Sequence, residues 1–345
     1  MKIIYGVSGE GYGHATRARE IIKHLEKKGH KVMVLAYGQS YDALHKEFKV
    51  HKIQGIHLYF NKDSLNFLKT ISHNIPGIKE NIKNAPLRDK FVYNFNPDIA
   101  ITDFEPITSI LAYKLGIPLI SIDNQHSIIY QKTKVPDYLL PQFLMTKAII
   151  HLMPLKAEAF ICISFNNQRP SNKKAYIVSP IIKESIRKIS PKIKDHILVY
   201  QTKENPELIR TLKKIPEKFI VYGYNKNKTE LNIQFKKPSS SFTTDLANSK
   251  AVIASAGFSL ISESIYFKKP YFAIPLKGQF EQTINALFLK NSNMGDFSYS
   301  PTKFELAQFL ISLPKFKKAL RKSKISPDEV FITLDKLIKN LVGKL

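Results

Sequence analysis

The chain has 345 residues, 53 Lys and Arg against 28 Asp and Glu, a formal net charge of +25, ten His and one Cys. Hydrophobic residues at 43% and aromatics at 11% exclude global disorder, and the length suits two domains of about 150 residues each. Cys162 has no partner for an internal disulfide, and the chain shows neither a secretory apolar leader nor the roughly 18 apolar residues of a membrane span, so the expectation is a soluble, cytoplasmic protein.

Short apolar runs alternate with helical periods along the chain. Lys2–Ser8 reads as a buried strand, followed by a glycine-rich turn and a helix over Ala15–Lys28. Ala18, Ile21, Ile22 and Leu25 share one face of that helix, and Gly29 stands just past its end. His30–Tyr37 and Asp98–Thr102 read as strands, Thr108–Leu115 as a helix closed by Gly116, and Pro118–Ile122 as a strand. A long apolar helix over Tyr138–Met153 precedes the strand Phe160–Ser164. The pattern then restarts with strand His196–Tyr200, helix Pro206–Lys214 and strands Lys218–Tyr222 and Ala251–Ser255. Helix Phe258–Phe267, strand Tyr271–Pro275 and helix Gln279–Lys290 complete it.

Alternation of this kind predicts parallel sheets covered on both faces. Two series joined through the Pro/Asn/Lys-rich stretch Phe165–Lys174 predict an α/β protein of two Rossmann-like domains facing a cleft. The boundaries read as 1–165 and 175–325, with a C-terminal helix over 326–345 crossing back to the first domain. Ligands of such folds bind where strand carboxyl ends and helix N-termini converge.

Gly9-Glu10-Gly11-Tyr12-Gly13-His14 follows the first strand and opens a helix, offering free N–H donors to an anion. A dinucleotide site is the obvious competitor. The spacing is G-x-G-x-G rather than G-x-G-x-x-G, and the second strand ends Leu35-Ala36-Tyr37 without an acidic residue for a ribose. His14, beginning a helix at the cleft, is placed for proton transfer; the bland alternative is a side chain that packs the turn. Asp123-Asn124-Gln125-His126 follows another strand end and reads as a second polar cluster facing the cleft, with His126 a rival base. Glu105, in Asp103-Phe104-Glu105, is a rival carboxylate base.

Ser255-Ala256-Gly257-Phe258-Ser259-Leu260-Ile261-Ser262-Glu263 takes a second strand through a small-residue turn into a helix. Backbone N–H groups at Gly257–Ser259 can cradle a diphosphate, and Glu263, six residues past Gly257, can accept two hydrogen bonds from a ribose diol. Glu281 and Gln282 start the helix after the strand ending Ile274-Pro275, and a carboxylate beside an amide suits sugar hydroxyls.

The charge is uneven: 21 basic and 14 acidic residues up to residue 165 give +7, and 32 against 14 thereafter give +18. Most positives are scattered lysines without an arginine stripe or stacking aromatics, so no nucleic-acid partner is expected. Peripheral contact with an anionic membrane on the cytoplasmic face is the alternative. Tyr138–Leu155, with Lys147 and Lys156, is read as either an interfacial helix or a buried interdomain one.

The ordered set G-x-G-x-G-H, S-A-G-x-x-x-x-S-E, a Lys-Pro strand ending Ile-Pro, and E-Q-x-x-N-A resembles GT-B glycosyltransferases. It is most similar to the group containing the peptidoglycan-precursor N-acetylglucosaminyltransferase and the UDP-glucuronosyltransferases. GEGYGHATRA, TDFEP, IDNQH and IPLKGQFEQTINAL resemble an archaeal and bacterial branch of it. The likeness is strongest over 3–20, 98–126 and 251–288 and carries no matched motif over 57–95 or 127–195. It implies that Gly257, Phe258 and Ser259 hold a diphosphate, Glu263 the ribose, and Glu281 with Gln282 the donor sugar. Phe242 to Leu246 would form the backbone clamp on a uracil. On the acceptor side, with Gly11, Gly13, Glu105, Asp123, Asn124 and His126, the resemblance makes His14 the base and Asp103 the carboxylate that orients it. Glu281 departs from the precursor-transferase branch, which has an amide there. The implied reaction is inverting transfer from a UDP-sugar to a hydroxyl acceptor, glycan or lipid-linked, with no cofactor and, lacking an Asp-x-Asp motif, no divalent metal. A UDP-sugar epimerase and a non-catalytic binder of sugar nucleotides or polyanions are the competing functions.

Overall fold

Lys2–Val7 (β1) is apolar on both faces and buried, as a strand covered by helices on either side must be. The computed structural model describes residues 1–55, 60–61, 64–65, 72–73, 88–132, 135–154, 156–166, 168–239 and 241–343. They fall into two units, Met1–Ile181 with Ser326–Leu345, and Ile182–Ile325. Each contains one of the two Rossmann-like sheets expected from the strand–helix alternation.

The first sheet has seven parallel strands: β1, Lys31–Ala36 (β2), Val50–Lys52 (β3), Ile99–Asp103 (β4), Leu119–Asp123 (β5), Ala159–Ile163 (β6) and Ala175–Val178 (β7). Their order is β3-β2-β1-β4-β5-β6-β7, so the chain reverses its direction of travel between β1 and β4. That reversal leaves a crevice at the carboxyl ends of β1, β4 and β5, where the connecting loops diverge. Register places Val7 opposite Asp103, and the amide of Ser8 extends the ladder by donating to the Asp103 carbonyl at 3.0 Å. Cys162 lies in β6, buried, and burial pushes its thiol up.

Two expectations need correction here. Phe165–Lys174 does not join the units: it connects β6 to β7 within the first sheet, and the chain passes to the second unit only after Ile181. Residues 175–181, placed in the second domain by that boundary, belong to the first unit: Ala175–Val178 is a four-residue strand at the sheet edge, buried only at its two ends and too short to show a period in the sequence. The first helix (α1) spans Tyr12–Lys27, three residues earlier than its apolar period suggests. Gly11, at φ 97°, supplies a backbone turn that other residues resist, and the helix starts directly after it.

Gly38–Leu44 (α2), Pro106–Leu115 (α3) and Gln125–Tyr130 (α4) follow. A single 3₁₀ turn at Asp137–Leu139 leads into Leu140–Leu152 (α5). Around α5, Leu139 and Ile150 are buried, while Tyr138, Leu140 and Leu144 stand exposed. Leu155, at the end of the segment read as interfacial or buried, lies outside the described residues. So do Lys344 and Leu345, at the end of the C-terminal segment. Glu329–Val342 groups with the first unit: His24 of α1 stacks on Phe331 at 4.7 Å and its Nε2 lies 2.8 Å from Asp335.

The second unit begins with Glu184–Arg187 (α6). Its sheet comprises His196–Tyr200 (β8), Lys218–Tyr222 (β9), Lys228–Glu230 (β10), Ile233–Phe235 (β11), Ala251–Ala254 (β12), Tyr271–Ala273 (β13) and Gly295–Phe297 (β14). The order is β10-β11-β9-β8-β12-β13-β14, parallel except for the β10–β11 pair, and the reversal lies between β8 and β12. Pro206–Leu212 (α7), Ser241–Asn248 (α8), Phe258–Tyr266 (α9) and Phe280–Asn291 (α10) connect the strands, and Lys303–Ile311 (α11) and Leu313–Lys322 (α12) close the unit. Among the described residues, no helix is long and apolar enough to cross a membrane.

Candidate functional site

In the first unit, chemistry gathers at the reversal. β1 hands the chain to α1 through the glycine turn, which leaves Gly11, Tyr12 and Gly13 exposed and turns His14 inward. Asp103 ends the neighbouring strand with no exposed surface. His14 Nδ1 meets Asp103 Oδ1 at 2.7 Å. A carboxylate on Nδ1 fixes the tautomer that leaves a lone pair on Nε2. His14 Nε2 makes no hydrogen bond among the described residues, and the side chain keeps 8% of its surface open.

Arg17, one turn further along α1, is the residue that sequence reasoning missed. Its Nε donates to Asp103 Oδ2 at 2.8 Å and its Nη2 to Oδ1 at 2.6 Å, a two-pronged clasp, while Nη1 donates to Asn124 Oδ1 at 3.1 Å. Burial opposes the guanidinium charge, yet Asp103 outweighs burial and holds Arg17 above its ordinary pKa. A signal was available: Arg17 sits three residues from His14 on the helix face that carries Ala18, Ile21 and Leu25, where a charge demands a partner. Tyr5 of β1 lies in the same electrostatic environment, its buried hydroxyl without a hydrogen-bond partner among the described residues. Burial first, then Asp103, pushes its pKa well up.

Asp123 and His126 form a second buried pair at the end of β5. Asp123 Oδ1 accepts the backbone N–H of His126 at 2.8 Å, its Oδ2 lies 2.7 Å from His126 Nδ1, and Ser121 Oγ donates to Oδ2 at 2.8 Å. Burial works against the carboxylate charge, but these partners prevail and bring Asp123 down to about 2. The His126 ring packs against Phe160 at 4.9 Å and Tyr130 at 5.7 Å, 1% exposed, with Nε2 buried and without a hydrogen bond among the described residues. That geometry suits a structural pair better than a base that must meet an acceptor.

Glu105, considered as a rival base, is a helix cap. Its Oε1 accepts from the Ile107 amide at 2.7 Å and Oε2 from the Thr108 amide at 2.8 Å, satisfying the open N-terminus of α3. It has no exposed surface, and burial raises its pKa. Both carboxylate oxygens are committed to the backbone, which removes Glu105 from the acceptor side.

In the second unit, β12 passes through Ser255-Ala256-Gly257 into α9. Gly257 caps the helix with no side-chain cap hydrogen bond among the described residues, and a Cβ placed on Gly257 would meet nothing within 4 Å. The amides of Phe258, Ser259 and Leu260 therefore lead a helix whose dipole favours an anion. The turn itself is fastened from below: Tyr271 Oη donates to the Ser255 carbonyl at 2.6 Å and Asn285 Nδ2 to the Ala256 carbonyl at 3.1 Å. Glu263 is half-buried on α9, and its carboxylate has no hydrogen-bond partner among the described residues. Burial raises its pKa, with Lys183 pulling the other way.

The remaining residues expected on the donor side are placed differently. Gln282 is engaged locally: Oε1 accepts the Leu276 amide at 3.1 Å and Nε2 donates to Gln279 Oε1 at 2.5 Å, closing the loop between β13 and α10. Glu281 beside it, in the first turn of α10, is half-buried. Phe242 to Leu246 lie in α8, starting in its first turn, rather than in a loop after a strand. Phe242 instead packs edge-on against Tyr222 at 5.0 Å and Tyr200 at 5.7 Å. A cavity of about 500 Å³, which sequence reasoning did not foresee, opens at the carboxyl ends of β8 and β13, the strands flanking β12. Lys203, Asn205, Arg210, Pro275, Lys277 and Tyr299 help to line it.

A family profile described as glycosyl transferase family 1 matches residues 1–314. An "uncharacterized glycosyltransferase" of Methanosarcina mazei is 26% identical over 338 residues, covering 87% of this chain and 86% of that protein. The calicheamicin glycosyltransferase CalG4 shares the fold with a TM-score of 0.71 at 12% identity, covering 99% of this chain and 98% of that one. The spinosyn rhamnosyltransferase SpnG complexed with thymidine diphosphate does so with a TM-score of 0.64 at 12% identity, covering 99% and 100%. At such identities the likeness is one of architecture.

Proposed function

The chain belongs to glycosyl transferase family 1, and on that premise we propose that it transfers a sugar from a pyrimidine nucleoside diphosphate, UDP foremost, to a hydroxyl acceptor with inversion and without a metal. The observation that carries this reading is the His14–Asp103 hydrogen bond with Nε2 left over. His14 Nε2 takes the proton as the acceptor oxygen bonds to the anomeric carbon. The bond from that carbon to the diphosphate oxygen breaks in line, and its electron pair leaves with the nucleoside diphosphate. Asp103 stabilises the imidazolium, and the clasp of Arg17 keeps that carboxylate aimed. The amides opening α9 meet the charge on the leaving diphosphate, a preorganised dipole in place of a divalent ion.

Glu263 supports the donor assignment because a carboxylate that burial disfavours and that has no hydrogen bond among the described residues is suited to a ribose diol. SpnG, complexed with thymidine diphosphate, makes the deoxyribosyl series the alternative donor. A panel of UDP- and dTDP-sugars, read by nucleoside diphosphate release with EDTA present, tests the donor class, and NMR of the product anomer tests inversion. His14→Ala is expected to lower turnover by about 10²–10⁴-fold while leaving nucleotide affinity near its starting value. Retained turnover would remove His14 as the base, and isomerised sugar without transfer would point to an epimerase.

A further inference from the structure

The second unit carries a face that sugar transfer does not use. Between Glu305 and Asp328 the sequence contains no carboxylate, and six of the ten residues from Lys315 to Lys324 are basic. α12 sorts this stretch by side. Phe316 and Leu320 are buried, with Phe316 stacked on Phe309 of α11 at 5.6 Å, while Lys315, Lys318, Arg321 and Lys322 project outward, followed by exposed Lys324.

No ion pair among the described residues involves any of these cations, whereas elsewhere in the unit Lys213, Lys236 and Lys250 each hold a carboxylate. Lys317, on the same helix, acts inward: burial, and then Lys317, brings Lys269 down to about 8. α11 adds a second feature. Phe304 and Ile311, two turns apart on one side of that helix, are each 71% exposed. Both helices bury their opposite sides in one apolar cluster, so the cationic and apolar side chains all point away from the same core.

We propose that this face docks on an anionic phospholipid bilayer, the basic residues of α12 against lipid phosphates and Phe304 with Ile311 in the interfacial layer. Nucleic acid would satisfy the cations equally, but exposed isoleucine gains nothing from a phosphate backbone. A bilayer rewards both features, and stable peripheral attachment generally needs two such signals. Each basic residue near an anionic surface contributes about five-fold in partitioning, screened by salt.

The test is flotation of the full chain with phosphatidylcholine vesicles, with or without one-third phosphatidylglycerol, at low and high salt. Binding should require the anionic lipid and fall away at high salt. The combined substitution K315Q, K318Q, R321Q and K322Q should weaken it by about 10²-fold or more. F304S with I311S should weaken it about tenfold, leaving the salt dependence in place. Equal binding to neutral vesicles overturns the proposal. So does binding lost only in Y138S with L144S, which would transfer it to the exposed apolar residues around α5. Retention of polyuridylate with no vesicle partition would assign the face to nucleic acid instead. Unchanged thermal midpoints establish that the variants fold. If the quadruple variant does not, the salt series on the unaltered chain and the F304S with I311S pair still decide.

Discussion

The two candidate sites are built on the same device, a strand passing through a small-residue turn into a helix, yet they finish it in opposite ways. At the first, the charged side chain behind the histidine is satisfied internally: Asp103 receives His14 and both prongs of Arg17, and Arg17 also reaches Asn124. At the second, the protein fastens the turn through Tyr271 and Asn285, while α9 opens without a side-chain cap hydrogen bond and the Glu263 carboxylate has no hydrogen bond among the described residues. A group that must move a proton needs a fixed orientation before substrate arrives. A group that must grip a ligand needs its bonding capacity held in reserve.

The contrast breaks most sharply at Arg17. Arg17→Met strips a fully buried carboxylate of its bidentate partner, and the expected loss of stability is about 3–5 kcal/mol by denaturant unfolding. Replacing Asp103 by Leu in the same chain should restore most of that loss, because the uncompensated charge goes with it. No recovery in the double variant would show that Arg17 acts by packing rather than by charge.

At the open site the sign reverses. Glu263→Ala should weaken nucleoside diphosphate binding by about 1.5–3 kcal/mol in calorimetry, the scale of hydrogen bonds to a charged group. Glu263→Gln should also make the empty protein more stable at neutral pH. Because burial raises the folded-state pKa of Glu263, its contribution to stability falls as pH rises through that range, so the ionised group is a net cost above it. A variant that loses both affinity and stability would make Glu263 a structural residue.

Strand–helix alternation and the glycine turns made both sheets and both helix openings legible in the sequence, because period and turn chemistry are local properties. His14 and Asp103 could be paired only through the family resemblance; what brings them together is register between strands some 90 residues apart in sequence. Arg17 escaped because its partner lies on another strand, and Glu105 misled because a carboxylate after a strand looks the same whether it caps a helix or faces a substrate. The edge strand Ala175–Val178 was hidden by its length, which moved the passage between units from the Phe165–Lys174 stretch to Ile181.

Asp123 sharpens the contrast through pH. Its pKa of about 2 in the folded chain, against 3.8 for an ordinary aspartate, contributes stability that is complete above about 4 and is lost as pH falls toward 2. The shift corresponds to about 2 kcal/mol, and Asp123→Asn should remove the acid limb from the stability profile between those values. An unchanged limb would assign acid unfolding to other carboxylates.

The smallest effect concerns the fastening of the open turn. Asn285→Ala removes one neutral hydrogen bond, from Nδ2 to the Ala256 carbonyl, at an expected stability cost of about 1 kcal/mol. Tyr271→Phe removes the companion bond to the Ser255 carbonyl at a similar cost. The two bonds hold successive carbonyls of one turn, so a double variant should lose more diphosphate affinity than the two single losses added together. Either bond alone keeps the amides of α9 aligned, and only their joint removal frees them. Strict additivity would mean that the helix end, rather than the turn beneath it, fixes those amides.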